Sequence, residues 1–209
     1  MAVLTFGDRR VPTMLQDLPL FTGDDEGTLD AAIAGHRRLI VTGNDADLAT
    51  VLRRLLRTSR LDIEVGYAPA RRSPATRLHR VPAGRRGARR ARFGAPQRVP
   101  LIRDETGSVI VGRARWLPPS DNATLHGEAV ADDTQLFDGD VAGVLIEPTA
   151  DLPGARTRVL GPLARRWVSA RAVQLGSNGV IVERDGVPAT RPARRSTFYR
   201  NTEGWLLVR

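Results

Sequence analysis

The sequence predicts two regions of different fold class: a small parallel α/β unit, followed by an antiparallel β-sandwich-like domain. Residues 38–67 read as strand, helix, strand, an order that favours parallel pairing. From Val99 onward, short apolar runs alternate with turn residues, which is typical of antiparallel sheets. A basic, Gly-rich run separates the two patterns. The predicted organisation is therefore an α/β domain at 1–82, a linker or loop at 83–98, and a β-rich domain at 99–209.

Three elements support the α/β unit, after a short helix predicted to end near Gly35. The apolar run 38–42 predicts a buried strand, and 61–67 predicts a second one. Between them, residues 47–57 place apolar side chains at i, i+3, i+4 and i+7, with arginines on the opposite face. This spacing predicts an amphipathic helix. The segment 11–21 mixes apolar residues with prolines and predicts no element.

The β-rich region is predicted from short strands and their turns. Residues 101–112 predict a hairpin that turns at 105–107, and 142–147 predict a further strand. Strands are also predicted at 170–175, 179–184 and 204–209, with turns at 176–178 and at Asp185-Gly186. By contrast, residues 85–92 are so rich in arginine that a mobile loop or linker is expected there.

The composition excludes several kinds of chemistry. The 209 residues include no Cys, and all 32 basic residues are Arg, so there is no Lys. Thiol nucleophiles, Cys-ligated metals, the phosphate-loop Lys and Schiff bases are therefore excluded. The three His residues, at 36, 79 and 126, are too scattered for a His-based zinc site, and no metal ligand is singled out.

The charge and the N-terminus bear on partners and location. A net charge of +9 would favour a polyanionic partner, but an all-Arg chain rich in Ala, Gly, Val and Pro is typical of GC-rich coding sequences. The sequence lacks the basic-then-apolar order of a signal peptide and any apolar run of about 20 residues, so a cytoplasmic protein is expected.

Two segments of the α/β unit carry a family resemblance. Residues 41–52 resemble the strand-turn-helix of the diacylglycerol kinase, sphingosine kinase and NAD kinase superfamily, whose pattern is Gly-Gly-Asp-Gly-Thr-Leu. Gly43, Asp45 and three apolar helix residues match it, whereas Asn44 and Asp47 are among the replacements. Residues 68–82 stand where that superfamily has Pro-x-Gly-Thr-x-Asn-Asp, with only Arg77 and Pro82 matching.

The β-rich region adds two further similarities. Residues 136–146 resemble the Asp-Gly turn of lipid kinases, whose Asp is the proposed general base on the lipid hydroxyl; here that residue is Asp138. The tail resembles the closing hairpin of the family, with Val187 in place of the usual Glu. The chain is short for this family, so its nucleotide-binding half is expected to be truncated.

The resemblance implies ATP with Mg²⁺ as cofactors and a lipid hydroxyl as acceptor. Gly43, Asn44 and Asp45 would lie on the nucleotide, and Arg71 and Ser73 stand in the second nucleotide segment. Backbone N–H groups at the helix N-terminus would hold the phosphates in the absence of Lys. Two features oppose full activity: Asp47 places an anion beside that site, and arginines fill the second segment.

Each candidate site has a structural alternative. Asn44, Asp45 and Asp47 would cap the helix and turn the chain, and Asp138 would sit in an ordinary Asp-Gly β-turn.

Three alternatives remain for the function of the protein. They are an ATP-dependent lipid kinase, peripheral at a lipid or membrane surface; a non-catalytic relative that binds a nucleotide, lipid or protein; and an Arg-rich nucleic-acid-binding module. Nucleic-acid binding is the least favoured of the three, because Phe93 is the single aromatic residue interleaved with the basic run and base stacking requires aromatic side chains. A homodimer through an edge strand is a further expectation.

Overall fold

The protein consists of two compact units, which we describe from a computed structural model covering residues 1–120, 124–161 and 166–209. Unit 1 comprises residues 1–99 and 203–209, and unit 2 comprises residues 100–202. Within the described residues, no helix is both long enough and apolar enough to cross a membrane.

Unit 1 is built on a six-stranded sheet with the order β2-β1-β3-β4-β17-β5. Its strands are β1 (Ala2–Thr5), β2 (Leu20–Thr22), β3 (Arg38–Val41), β4 (Glu64–Tyr67), β5 (Pro96–Val99) and β17 (Trp205–Val208). The pairs are parallel except for β17 with β5. The predicted parallel strand-helix-strand unit is confirmed, with Val41 opposite Tyr67 in the register of β3 and β4.

Four α-helices accompany this sheet: α1 (Glu26–Gly35), α2 (Asp45–Arg57), α3 (Pro74–Leu78) and α4 (Gly84–Phe93). The buried residues of α2 include Leu48, Val51, Leu52 and Leu55, which confirms the predicted apolar face. On the other side of α2, Arg54 donates to Asp30 of α1 through its Nε at 2.6 Å. This hydrogen bond lowers the pKa of Asp30 below its usual value.

The prediction of a linker at 83–98 is wrong, because 84–93 form α4 and 96–99 form β5. In α4, Gly87, Ala88 and Ala91 are buried while the neighbouring arginines point outward. Small residues at 87, 88 and 91 share one helix face and therefore allow close packing on the sheet. Because the segment is so rich in arginine, the helical spacing of its small residues is not apparent from the sequence.

Unit 2 is an antiparallel assembly, as predicted. Its strands are β6 (Ile102–Asp104), β7 (Val109–Ile110), β8 (Ala114–Leu117), β9 (Leu125–Ala131), β10 (Thr134–Val141), β11 (Gly143–Pro148), β12 (Ala155–Leu160), β13 (Val168–Ala170), β14 (Ala172–Arg184), β15 (Val187–Pro188) and β16 (Ala193–Arg200). They surround an apolar core whose largest side chains are Trp116 and Phe198. The indole Nε1 of Trp116 donates to Ser196 at 2.9 Å, so the one polar atom of this ring is satisfied in the core.

Two predicted turns of unit 2 are confirmed and one is wrong. The hairpin of β6 and β7 encloses 105–107, and Asp185-Gly186 joins β14 to β15. Residues 176–178 are not a turn, because β14 continues through them with a register shift between Gly176 and Val180. The second partner of β14 also changes there, from β9 at 173–177 to β8 at 181–184.

The last strand also differs from its predicted placement. Residues 205–208 form a strand as expected, but β17 lies between β4 and β5 of unit 1 instead of in the β-rich region. Its Trp205 is buried, with its ring 5.5 Å from the ring of the buried His79. The chain therefore returns to unit 1 after completing unit 2, and unit 1 is larger than the predicted 1–82.

The close packing of α4 on β4 predicts the effect of one substitution. A Cβ at Gly66 would lie 2.7 Å from Ala91 Cβ and 2.8 Å from the Ala91 carbonyl oxygen. We expect Gly66→Ala to lower the free energy of unfolding by about 2 kcal/mol, measured by chemical denaturation. Gly35→Ala is the control, since a Cβ there meets nothing within 4 Å. Equal stability of the two variants would contradict the packing of α4 on the sheet.

Candidate functional site

A cavity of about 490 Å³ lies in unit 1 beside the residues that follow β1, β3 and β4. This volume is within the range of small-molecule sites. The cavity is formed by three loops and the start of α4, which contribute Arg9, Arg10, Pro12, Thr42, Gly43, Asn44, Tyr67, Ala68, Pro69, Ala70, Arg71, Arg72, Ser73 and Gly84.

The strand order explains why a cavity forms here. β2 lies on one side of β1 and β3 lies on the other, so the loops after β1 and β3 leave the sheet in opposite directions. Such a divergence at the carboxyl ends of parallel strands opens a crevice, which is the usual ligand site of open α/β sheets. Arg9 and Arg10 follow β1 there, and Gly43 and Asn44 follow β3.

The turn between β3 and α2 is closed by a capping box. Asn44 Oδ1 accepts from the backbone N–H of Asp47 at 2.9 Å, and Asp47 Oδ2 accepts from the backbone N–H of Asn44 at 2.7 Å. Asp47 also forms an ion pair with Arg9. A Cβ at Gly43 would lie 2.5 Å from Asp47 Cβ, so glycine lets the Asp47 side chain fold back over the turn.

This arrangement changes the expected role of the helix N-terminus. The resemblance implies that backbone N–H groups there hold phosphates, but the N–H groups of Asn44 and Asp47 already donate within the capping box. A carboxylate also occupies the end of α2 where an anion would bind. The capping alternative is therefore confirmed for Asn44 and Asp47, which use the site that a phosphate would need.

Asp45, the first residue of α2, is buried and does not line the cavity. Asp45 is only 7% exposed. Its carboxylate accepts hydrogen bonds from Tyr67 Oη at 2.8 Å and from the backbone N–H of Ala75 at 3.1 Å. These bonds join α2 to the end of β4 and to α3. The expectation that Asp45 contacts a nucleotide is therefore not supported, because its oxygens are used inside the fold.

The loop from β4 to α3 brings arginines to the cavity. Arg71 and Arg72 lie on this loop, are exposed, and form no ion pair with any residue that the structure describes. Ser73 ends the loop as the cap of α3: its Oγ accepts from the Thr76 N–H at 3.2 Å, and Thr76 Oγ1 accepts from the Ser73 N–H at 2.8 Å. Ser73 therefore lines the cavity with its polar groups already engaged.

The electrostatics of the cavity are positive. Arg9, Arg10, Arg71 and Arg72 line it, and no Asp or Glu is among its lining residues. Arg9 is compensated by Asp47, whereas Arg10, like Arg71 and Arg72, has no ion-pair partner among the described residues. Three uncompensated guanidinium groups with five N–H donors each form a site suited to phosphate oxygens.

Arg9 and Arg10 also line the cavity, although the sequence does not predict them as site residues. A short strand precedes them, Ala2–Thr5, and all four of its residues are buried. The apolar run Ala2-Val3-Leu4 was the available signal, since a buried parallel strand would place the following arginines beside Gly43.

The proposed base Asp138 lies in unit 2, in the interior of β10 opposite Glu128. It is not in a β-turn, so the structural alternative predicted for it is wrong. The residue is exposed and lines a second cavity of about 450 Å³, together with Leu136, Phe137, Val159 and Leu160. The lining of this cavity therefore combines apolar side chains with the two carboxylates of Asp138 and Asp140.

The donor set does not fit a protein-bound divalent cation. Among the described residues no group of three or more His, Asp or Glu side chains is close enough to hold a metal. Mg²⁺ is bound by carboxylates and phosphate oxygens, and the cavity of unit 1 supplies arginines instead.

The α/β sheet of unit 1 receives its late strand β17 only after the chain has completed the antiparallel unit 2. The structure is similar to a diacylglycerol kinase from Bacillus anthracis str. Sterne, with a TM-score of 0.66, 13% identity, and coverage of 99% of this chain and 96% of that chain. It is also similar to an NAD kinase from Archaeoglobus fulgidus in complex with ATP, with a TM-score of 0.65, 9% identity, and coverage of 100% and 93%.

These similarities confirm the predicted resemblance at the level of the fold. In both comparisons the similarity extends over more than nine tenths of each chain. No known protein-family model matches the sequence, and no curated protein matches it either.

The bonds of Asp45 predict that this residue supports the fold. Asp45→Ala removes the acceptor of the Tyr67 hydroxyl and of the Ala75 N–H, and we expect it to lower the free energy of unfolding by about 3 kcal/mol without any nucleotide. Tyr67→Phe removes one of these bonds, and a loss of about 1 kcal/mol is expected. Denaturant unfolding measures both, and an Asp45→Ala protein of unchanged stability would refute the structural role.

Proposed function

We propose that the protein binds a nucleoside triphosphate, with ATP as the first candidate, in the cavity of unit 1. The observation that carries this proposal is the group of three uncompensated guanidiniums, Arg10, Arg71 and Arg72, at the carboxyl ends of parallel strands. The ATP complex of the structurally similar NAD kinase adds support from the fold.

The phosphates would be held by side chains. Arg71 and Arg72 stand next to each other on the loop before α3, and Arg10 belongs to the loop after β1, so the triphosphate would be approached from two loops. Guanidinium groups bind phosphate oxygens in a bidentate manner, and each such charge-assisted bond is stronger than a neutral one. Tyr67, Ala68, Pro69 and Pro12 supply the less polar wall that a base and ribose require.

Mg²⁺ has no protein ligand in this proposal. The cavity lining contains no carboxylate, so any Mg²⁺ would arrive on the nucleotide and depend on its phosphate oxygens. Three arginines already neutralise most of the charge of a triphosphate. Nucleotide binding is therefore expected with and without the cation.

A second candidate function is phosphoryl transfer to a lipid hydroxyl. It is favoured by the exposed Asp138 carboxylate beside the apolar side chains of Leu136, Phe137, Val159 and Leu160. In this reaction the Asp138 carboxylate accepts the proton of the attacking hydroxyl, the hydroxyl oxygen bonds to the γ-phosphorus, and ADP leaves. The alternative is a relative that binds nucleotide without turnover, because Asp47 and the arginines have replaced the phosphate turn of the family.

Nucleotide binding is tested by thermal unfolding. At about 100 times its dissociation constant, ATP adds about 2.7 kcal/mol, and we expect Tm to rise by about 5–10 °C in Mg²⁺ and in EDTA alike. Arg71→Gln with Arg72→Gln should weaken binding about 100-fold.

The matched control is Arg194→Gln with Arg195→Gln, which removes the same charge from exposed positions of β16 in unit 2. If millimolar ATP does not raise the Tm of the unsubstituted protein, the proposal is refuted. An equal loss of binding in the two double variants would attribute it to net charge alone.

Phosphoryl transfer is tested with radiolabelled ATP and diacylglycerol dispersed in detergent. We expect Asp138→Asn to abolish label transfer while leaving the ATP-induced Tm shift unchanged, since the residue belongs to unit 2 and not to the nucleotide cavity. Asp140→Asn is the control, because Asp140 lines the same cavity but already contacts His126 at 3.3 Å. A protein that shows the Tm shift but transfers no label would support binding without turnover.

A further inference from the structure

The outer face of α4 concentrates positive charge. Arg85, Arg86, Arg89, Arg90 and Phe93 follow one another at steps of one, three, one and three residues, which places them on one side of a helix. All five are exposed, and Phe93 is 68% exposed. The opposite side of α4 is buried. We call these five residues the basic face of α4.

The four arginines of the basic face have no counter-charge. None of them forms an ion pair with a residue in the described parts of the chain. Arg92 of the same helix differs, because it donates to both carboxylate oxygens of Asp17 at 2.6 and 2.7 Å and lowers the pKa of that group. Like charges one turn apart, as in 85 with 89 and 86 with 90, oppose each other on the helix, so an external anion would relieve them.

Phe93 gives the basic face an apolar end. With Arg86, Arg89 and Arg90 it borders a hollow of about 610 Å³ in unit 1. The Arg92 guanidinium lies 5.2 Å from the centre of the Phe93 ring. In spite of this contact, Phe93 is largely exposed to solvent. Arginines bind lipid phosphates, and an aromatic ring enters the boundary between headgroups and acyl chains.

These features favour a lipid surface over a nucleic acid. Single-stranded nucleic acids require several aromatic side chains for base stacking, and the basic face offers one. A phosphate backbone alone would leave Phe93 in water. A bilayer uses both the charges and the ring.

We propose that the basic face of α4 docks the protein onto bilayers that contain anionic phospholipids, with Arg86, Arg89 and Arg90 on the headgroup phosphates and Phe93 at the acyl boundary. This surface shares no residue with the lining of the cavity proposed to bind nucleotide. Docking can therefore be tested in the absence of nucleotide.

The test is co-sedimentation of the purified protein with large unilamellar vesicles in the absence of ATP. We expect binding to vesicles of phosphatidylcholine with about one third phosphatidylglycerol, little binding to phosphatidylcholine alone, and a decrease at high salt. The variant Arg86→Gln, Arg89→Gln, Arg90→Gln should lower the partition coefficient about 100-fold. Phe93→Ser should lower it about tenfold.

The matched control is Arg191→Gln, Arg194→Gln, Arg195→Gln, which removes three exposed arginines from unit 2 and should retain most of the binding. Gln keeps a high helix propensity, and an unchanged Tm of each variant verifies folding. Equal losses in the two triple variants would overturn the proposal. So would binding of a duplex oligonucleotide by the basic face with no binding to the anionic vesicles.

Discussion

The buried carboxylate of Asp45 joins the segments on which the candidate site depends. It starts α2, accepts the hydroxyl of Tyr67 at the end of β4, and accepts the N–H of Ala75 in α3. The loop that carries Arg71 and Arg72 runs between these last two attachment points. A buried acceptor with two donors is costly to break, so it holds both ends of the loop and thereby positions the arginines at the cavity.

The neighbouring capping box determines where an anion can bind. Asp47 folds over Gly43, takes the N–H of Asn44 and pairs with Arg9, so the end of α2 carries its own counter-charge. The positive charge that remains belongs to Arg10, Arg71 and Arg72. In a chain without Lys, the proposed phosphate binding depends on planar guanidinium groups, which bind two oxygens at once and stay charged at any physiological pH.

Local patterns predict the strand-helix-strand unit of β3, α2 and β4, but less of the remainder of unit 1 and of the site. The apolar spacing of α2 and the Asn44–Asp47 cap are short-range features, and the structure confirms both. The sequence does not predict α4, because its buried residues are Gly and Ala, which contribute close packing and little hydrophobicity. Strand β17 was recognised, but its neighbour β4 is far away in the sequence, and no local signal identifies such a partner. The short strand β1 has a local signal in its apolar run, but its pairing with β3, which brings the following arginines beside Gly43, again depends on a partner far away in the sequence.

We propose that side-chain arginines, and not the N-terminus of α2, hold the phosphates of a bound nucleotide. A crystal structure of the protein with ATP tests it most directly. We predict phosphate oxygens within hydrogen-bond distance of the Arg71 and Arg72 guanidiniums, with Asp47 still accepting from the Asn44 N–H. Phosphates seated on the Gly43–Asp47 turn, with the Asp47 side chain rotated away from Asn44, would contradict the account.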